Sequence, residues 1–280
     1  MNYLWRHIIV ILFTTICASL AFVACLSWYG HWYRHYTGAD RGVSDGVCNI
    51  AVVPIQGDII SFDDPNAPQY GGGNTPSSSG DYFARYVRHA EQDPNILGVL
   101  VPIDSGGGEP AASEVMMNVL KRSRLPSVAL IRSMGASGAY MAALGASHVI
   151  ASQISDVGSI GVTYSYLNES TKNTRDGIDF VQISSGQYKD MGNPDKPITD
   201  AERQLYERDL LIYKELFVSI VAESRHLSTT TVEALATGET WPGSLALQNG
   251  LIDQLGDEET AKAWFAEKLG LSPDDVVMCE

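Results

Sequence analysis

A serine at position 137 stands where an apolar stretch gives way to small residues. Residues 128–131 have the pattern of a buried strand, and the small residues from Gly138 onward favour a helix. At such a corner the Ser137 hydroxyl would lie at the positive end of the helix, and the Gly138 amide would face the oxyanion formed when Ser137 attacks a carbonyl group. The alternative is a helix cap, because serine is a favoured N-cap residue. Nucleophilic catalysis and capping both fit this position.

Three consecutive glycines, Gly106 to Gly108, follow a second apolar stretch at residues 96–103, which predicts a buried strand. Glycine adopts backbone angles that other residues avoid and lets a ligand approach the main chain. A phosphate-binding loop is the rival interpretation, but the stretch lacks both the lysine–serine ending of a P-loop and the spacing of a dinucleotide motif. The glycines therefore indicate close backbone approach to a different kind of ligand.

A nucleophilic serine needs a base, and no histidine of this chain stands in a recognisable partner motif. A lysine can take that role when its surroundings remove enough water for the amine to be neutral. Lys189 is the candidate, because it follows the apolar stretch 178–183, which predicts a strand. Taken alone, Lys189 has the features of a surface residue, since lysines are mostly exposed.

Four motifs in sequence order resemble those of the signal peptide peptidase A family, membrane-anchored serine proteases with a serine–lysine dyad. Ser137–Tyr140 is similar to the family's serine-glycine-glycine-tyrosine, and Asp104–Gly108 resembles its asparagine-serine-proline-glycine-glycine. Gly158–Val162 has the family's glycine-serine-isoleucine-glycine-valine unchanged, and Gly186–Lys189 resembles the base motif. The resemblance covers residues 49–270 and includes a family-like Gly250–Asp253.

The resemblance assigns a role to each matching residue. It makes Ser137 the nucleophile and Lys189 the general base. It makes the amides of Gly107 and Gly138 the oxyanion hole, and the Ser159 hydroxyl the group that orients the lysine amine. The implied activity is endopeptidase hydrolysis of signal peptides or other membrane-associated polypeptides, with no cofactor.

Three residues depart from the family pattern: Ala139 and Gly106 replace a glycine and a proline, and Asp104 replaces an asparagine. Alanine is tolerable at 139 if that residue is helical, and Gly106 only loosens the loop. A carboxylate at 104 would oppose the developing oxyanion unless it points away or is hydrogen-bonded.

Strand and helix patterns alternate, which predicts an α/β fold with a mostly parallel sheet flanked by helices. The resemblance implies the Clp protease/crotonase fold. Strands are predicted at 49–55, 96–103, 127–132, 148–151 and 178–183, a loop at 63–80, and helices at 81–91, 111–122, 137–145, 199–225, 230–236 and 258–269. The helix at 199–225 begins with a capping box and has a wide apolar face, so a second subunit is expected to cover part of it. The family resemblance likewise implies a homo-oligomer.

The N-terminus predicts a membrane anchor. Residues 8–29 form an apolar run without charge, long enough to cross a bilayer as one helix. We therefore divide the chain into a signal-anchor transmembrane helix at 1–30, a juxtamembrane linker at 31–48 and a peptidase domain at 49–280. Flanking charges leave the orientation open, and the resemblance implies a single-pass protein of the bacterial inner membrane with an extracytoplasmic catalytic domain. A lipoprotein processing site at Cys25 is an alternative.

Composition narrows the possible partners. The net charge is −14, with no basic stripe, which argues against nucleic acid. The four cysteines are too few for a disulfide scaffold, although Cys48 and Cys279 could pair in an exported domain, and no spacing predicts a metal site. Peptide substrates and membrane lipid remain as partners. The rival functions are a non-catalytic membrane scaffold of the same fold and a crotonase-like acyl-CoA enzyme.

Overall fold

The computed structural model describes residues 43–62 and 77–279, together with Phe13, Leu20 and Cys25. The predicted membrane anchor and most of the predicted linker and of the loop at 63–80 lie outside this part of the chain. Within it, no helix has the length and apolar character needed to span a membrane.

Ten strands of the described chain form one sheet, and the only antiparallel pair among them is β7 with β8. The central order is β10-β1-β4-β5-β6-β9, with β2 beside the carboxyl-terminal half of β4 and β3 on the far side of β2. The strands are β1 (Ile50–Val52), β2 (Ile55–Ile60), β3 (Ser77–Ser79), β4 (Gly98–Gly108), β5 (Ser127–Ala136), β6 (His148–Ala151), β7 (Asp156–Gly158), β8 (Thr240–Pro242), β9 (Gln254–Leu255) and β10 (Met278–Cys279).

Helices cover both faces of this sheet. They are α1 (Gly80–Ala90), α2 (Pro110–Arg122), α3 (Gly138–Ala143), α4 (Ser170–Arg175), α5 (Asp200–Arg225), α6 (Thr229–Leu235), α7 (Gly243–Gln248) and α8 (Glu258–Leu269), followed by a 3-10 turn at Pro273–Asp275. Side chains alternate along β4: Val99 and Val101 pack into the main core with α1, α2 and α3, whereas Leu100 packs on the other face with Phe265 of α8. The predicted α/β architecture with a mostly parallel sheet is therefore confirmed.

The helix predicted at 199–225 is α5, and it begins as its capping box predicts. Thr199 accepts a bond from the Glu202 amide, and the Glu202 carboxylate accepts one from the Thr199 amide. The Lys196 ammonium, 2.6 Å from Glu202, and the Thr199 amide lower the pKa of this buried carboxyl. The buried apolar residues of α5 all lie in its carboxyl-terminal half: Phe217, Val218, Val221 and Ala222.

The strand predicted at 178–183 is wrong. These residues have no regular secondary structure, and Ile183 is 95% exposed. The apolar pattern is present, but a strand also needs a neighbour for its backbone groups, and no described strand pairs with this segment.

Smaller differences are that Pro54 separates β1 from β2 and that β5 continues to Ala136.

A disulfide joins the two ends of the described domain. Cys48 and Cys279 are bonded, with their Cα atoms 5.1 Å apart, and β1 pairs with β10 beside them. Ahead of it, the Ser44 amide donates to the Asp93 carboxylate at 2.9 Å. The pairing that the sequence left open is thus present, and the segment that enters the domain is fixed to it.

Candidate active site

Ser137 lies at a strained corner between β5 and α3. Its φ is 51° and its ψ is −123°, a conformation that residues with a side chain rarely adopt. The Ser137 amide donates to the carbonyl oxygen of Gly158 at 2.7 Å, which holds the corner against β7. Although Ser137 occupies the N-cap position, its hydroxyl makes no capping bond. The capping alternative is therefore wrong, and strain of this kind is typical of functional positions.

Close packing of α3 against α2 explains the small residues after Ser137. A Cβ added to Gly138 would lie 2.2 Å from Ser113 Oγ, so this position accepts only glycine without movement. Ala139 is buried inside α3 and is not among the residues with positive φ. Alanine at 139 is thus compatible with the corner.

Tyr140 ties α3 to the segment 250–253. Its hydroxyl donates to the carbonyl oxygen of Leu251 at 2.7 Å, and burial raises the pKa of the phenol. Arg225 holds the same segment through the carbonyl oxygen of Gly250 at 2.8 Å and through both carboxylate oxygens of Asp253. The family-like segment 250–253 is therefore a support for the helix that follows the serine.

The glycines at the end of β4 lie against the Ser137 corner. A Cβ added to Gly107, whose φ is +102°, would come 2.7 Å from the Gly138 nitrogen and 3.0 Å from the Ser137 Cβ. The backbone of β4 thus approaches both the serine and the Gly138 amide, as an oxyanion hole requires.

The amide of Gly107 already has a partner. It donates to Ser105 Oγ at 3.0 Å. The nitrogen of the next residue, Gly108, lies 3.3 Å from the point that a Cβ on Gly138 would occupy. Gly108 is therefore a second candidate for the donor that β4 contributes, beside the expected Gly107.

The Asp104 carboxylate is paired on the β5 side. It accepts bonds from Arg132 Nε at 2.9 Å, Arg132 Nη2 at 2.6 Å and the Ser133 amide at 2.8 Å. The positive charge of Arg132 compensates the negative charge of this carboxylate. The aspartate that replaces the family's asparagine therefore places no uncompensated charge beside the oxyanion hole.

Ser137 opens into a cavity of about 690 Å³. One wall is a face of α5 formed by Glu207, Leu210, Leu211 and Lys214, which are spaced so that they lie on one side of a helix. The cavity therefore combines apolar side chains with one acid and one base next to the serine.

Ser159 lines the same cavity. It has a φ of 50°, its amide donates to the carbonyl oxygen of Glu239 at 2.9 Å, and its hydroxyl donates to that of Gly238 at 3.0 Å. Because the hydroxyl proton is used, the oxygen can still accept a bond from an amine. This is the chemistry expected of a residue that orients a lysine.

Lys189 lies apart from this group. Its side chain is exposed, its amide closes a turn with Gly186, and it is not among the residues that line the cavity. The structure thus brings together Ser137, Ser159 and the glycines, whereas Lys214 is the lysine that lines the cavity. Lys214 and Glu207 were not predicted as site residues, although their spacing places them on one face of the predicted helix.

Comparison with known proteins places the chain in a family. Residues 119–272, more than half of the chain, match Peptidase family S49. The chain belongs to this family. The assignment confirms the resemblance to the signal peptide peptidase A family, and the matched S49 region includes Ser137, Ser159 and Lys189.

Three relatives of this S49 chain extend the comparison. A putative protease of Methanocaldococcus jannaschii is 32% identical over 70% of this chain and 64% of the relative. A putative signal peptide peptidase of Enterococcus faecium is 31% identical over 64% of this chain and 53% of the relative. A putative protease of Synechocystis sp. is 35% identical over 64% of this chain and 65% of the relative. The chain thus spans 53% to 65% of the length of these relatives.

Proposed function

We propose that this chain is a membrane-anchored serine endopeptidase of the Clp protease/crotonase fold, which hydrolyses signal peptides or other membrane-associated polypeptides. The observation that carries the proposal is the strained Ser137 corner, whose hydroxyl is free of a capping bond and faces a cavity. Close approach of the β4 glycines to Gly138 supports an oxyanion hole at the same place.

In the proposed mechanism, neutral Lys189 removes the proton of the Ser137 hydroxyl as the oxygen attacks the scissile carbonyl carbon. The oxyanion is bound by the Gly138 amide and by an amide of Gly107 or Gly108. The Lys189 ammonium then gives its proton to the leaving amine as the C–N bond breaks. Water attacks the acyl-enzyme with the same lysine as base, which releases the acid and restores the serine.

Lys189 must reach Ser137 for this mechanism to operate. Two routes are open: a movement of residues 163–198 within one chain, or entry of Lys189 from a second copy.

Exposed apolar side chains on α5, including Leu211, Ile212 and Leu216, support a homo-oligomer. Light scattering at micromolar concentration tests this assembly, and a mass equal to one protomer would contradict it.

A mixing experiment separates the two routes. Ser137→Ala and Lys189→Ala proteins, each inactive, are combined and assayed with a fluorogenic peptide. Recovery of activity on mixing means that serine and lysine come from different copies. No recovery, with assembly of the mixed oligomer shown by co-purification of one variant with a differently tagged copy of the other, means that they come from one chain.

The serine assignment is tested with a fluorophosphonate probe and mass spectrometry. We expect labelling at Ser137 and loss of labelling in Ser137→Ala, with Ser133→Ala, a neighbouring exposed serine, as the matched control. Absence of labelling by several serine-reactive probes would favour the second candidate, a non-catalytic membrane scaffold, which the exposed position of Lys189 also favours. A crotonase-like enzyme would bind acyl-CoA without needing Ser137 and Lys189 together.

We further propose that the domain lies outside the cytoplasm of a bacterium, held in the inner membrane by residues 8–29. The Cys48–Cys279 disulfide supports this location, because such bonds persist in oxidising compartments. Protease treatment of intact spheroplasts should degrade the domain, and full protection would contradict export.

A further inference from the structure

We propose that Asp104 and Ser105 are positioning residues that hold the β4 glycines at the oxyanion site, an inference that rests on the proposed peptidase function. Neither side chain is assigned to contact substrate. Both act through the backbone of Gly107 and Gly108, which approaches the Ser137 corner.

The register between β4 and β5 shifts beside Asp104. Ile103 pairs with Ile131, but Ser105 pairs with Gly135, so β5 contains two more residues than β4 over this interval. A bulge of this kind interrupts the hydrogen bonds between strands. The Asp104 carboxylate takes their place by accepting the Ser133 amide and two donors of Arg132 within the bulge.

A second shift lies on the other side of the same strand. Gln56 pairs with Asp104, but Asp58 pairs with Gly107, so here β4 contains one extra residue. The Ser105 hydroxyl donates to the carbonyl oxygen of Gly57 at 2.6 Å and accepts from the Gly107 amide at 3.0 Å. Ser105 is only 2% exposed, so water does not readily replace these bonds.

The two side chains therefore fix a strand that has left its regular register on both sides. The residues that follow are the glycines at the serine corner, and small displacements of oxyanion donors reduce the rate strongly. Because Arg132 pairs with the carboxylate, Asp104 provides this support without opposing the charge that forms at the oxyanion.

The central test compares Asp104→Ala and Ser105→Ala with the unaltered chain. We expect kcat to fall about tenfold to hundredfold, which is no more than the loss caused by removing one oxyanion donor. KM should stay within about twofold of its value in the unaltered chain. Affinity for a peptide aldehyde, which forms an oxyanion with the serine, should fall in parallel. Affinity for the matching peptide alcohol, which does not, should be unchanged.

Two further variants keep the test decisive if an alanine variant fails to fold. Asp104→Asn retains an acceptor for the Ser133 amide and should keep kcat within about threefold to fivefold. Arg132→Lys replaces a two-bond contact with a single donor and should lower kcat several-fold with the fold intact. An unchanged kcat in Arg132→Lys and in a folded Asp104→Ala would overturn the proposal.

The matched control is Asn49→Ala, at the opposite end of the sheet. Asn49 also accepts a backbone amide through its side chain, that of Val277 just before β10, at 3.0 Å. This variant should lose thermal stability and keep kcat. If its kcat fell as far as that of Asp104→Ala, the effect would be one of stability and the positioning role would be wrong.

Hydrogen exchange measured by mass spectrometry separates this proposal from the proposed function. Amides of residues 104–108 should exchange faster in Asp104→Ala than in the unaltered chain or in Asn49→Ala. If Ser137 of the unaltered chain is not labelled by a fluorophosphonate, the peptidase proposal fails. If the exchange rates at 104–108 are the same in Asp104→Ala as in the unaltered chain, only the positioning role is wrong.

Discussion

At the scale of single residues, the distinction between a capping serine and a reactive one rests on Ser137 alone. The serine holds the N-cap position of α3 while its hydroxyl makes no capping bond, and its backbone is strained. A residue kept in an unfavourable conformation has to be held there by its surroundings, here by the Gly158 carbonyl and by tight packing at Gly138.

Ser137→Ala and Lys189→Ala should each abolish peptide hydrolysis, because each removes a group needed for the same step. The double variant should be no worse than either single variant, since residues that act as a unit are not additive. Initial rates with a fluorogenic peptide check this, and circular dichroism controls for folding. Near-normal activity of Lys189→Ala would remove Lys189 from the dyad.

Lys214→Ala should change substrate preference and leave catalysis in place, because Lys214 lines the cavity on the α5 wall. We expect KM for peptides with an acidic side chain near the cleaved bond to rise about fivefold to tenfold, and kcat for neutral peptides to stay within twofold. A peptide library measures this. Complete inactivation by Lys214→Ala, with Lys189→Ala still active, would instead assign the base to Lys214.

At the scale of elements, the site depends on a helix only six residues long that is held at two positions. Its start packs on α2 through Gly138, and Tyr140 reaches the segment 250–253. Each contact comes from a different part of the chain, so the site is sensitive to changes outside its own motifs.

Gly138→Ala should inactivate the protein, because its new methyl group would collide with Ser113 Oγ and displace the oxyanion amide. We expect destabilisation of about 1–3 kcal/mol, the usual range for overpacking. The double variant Gly138→Ala, Ser113→Ala removes the colliding atom and should recover part of both losses. Thermal melts and kcat are the measurements, and a double variant no better than Gly138→Ala would argue against this collision.

The segment 250–253 should also make the domain sensitive to acid. Burial alone would raise the pKa of Asp253, but the Arg225 guanidinium and the Val149 amide lower it below its ordinary value. A carboxyl with a lowered folded-state pKa stabilises fully above its unfolded value, near 4, and loses that contribution as the pH falls through the folded value. Asp253→Asn should lower the free energy of unfolding at neutral pH by about 1–2 kcal/mol and flatten its pH dependence below about pH 4. Urea unfolding of both proteins at a series of pH values measures this, and identical pH profiles would contradict it.

The local motifs predicted the serine corner, because a strand, a turn and a helix that adjoin in sequence also adjoin in space. The β4 glycines reach this corner because β4 and β5 are paired parallel strands. The apolar pattern at 178–183 predicted a strand that does not form, because no described strand pairs with this segment. Lys214 was not predicted, since which face of α5 meets the cavity depends on packing between distant elements. The partner of the Gly107 amide depends on a bulge, which residue types alone do not reveal.

At the scale of the whole molecule, the two ends of the domain meet at one edge of the sheet. β1 and β10 are neighbours, and Cys48 is joined to Cys279 across 231 positions of sequence. The sites at the carboxyl ends of β4 and β5 lie at the other end of the strands. The Ser137 corner and the disulfide therefore lie at opposite ends of the strands.

Replacing both Cys48 and Cys279 with serine should destabilise the domain by about 2–5 kcal/mol, because the bond closes a long loop in the unfolded chain. Thermal melts with and without reductant check this. Reductant should lower the melting temperature of the unaltered chain and leave that of the double variant unchanged, with Cys25→Ser as the control. Equal melting temperatures would mean that the bond contributes nothing to stability.

The same cross-link changes what a cut in this domain does. Between Cys48 and Cys279 the polypeptide is a closed ring, so one broken peptide bond opens the ring and releases no fragment. The exposed stretch around Ile183 is the obvious place for such a cut by a protease. A nicked molecule would stay one covalent species until it is reduced, so its fragments would separate on a gel only after a thiol is added.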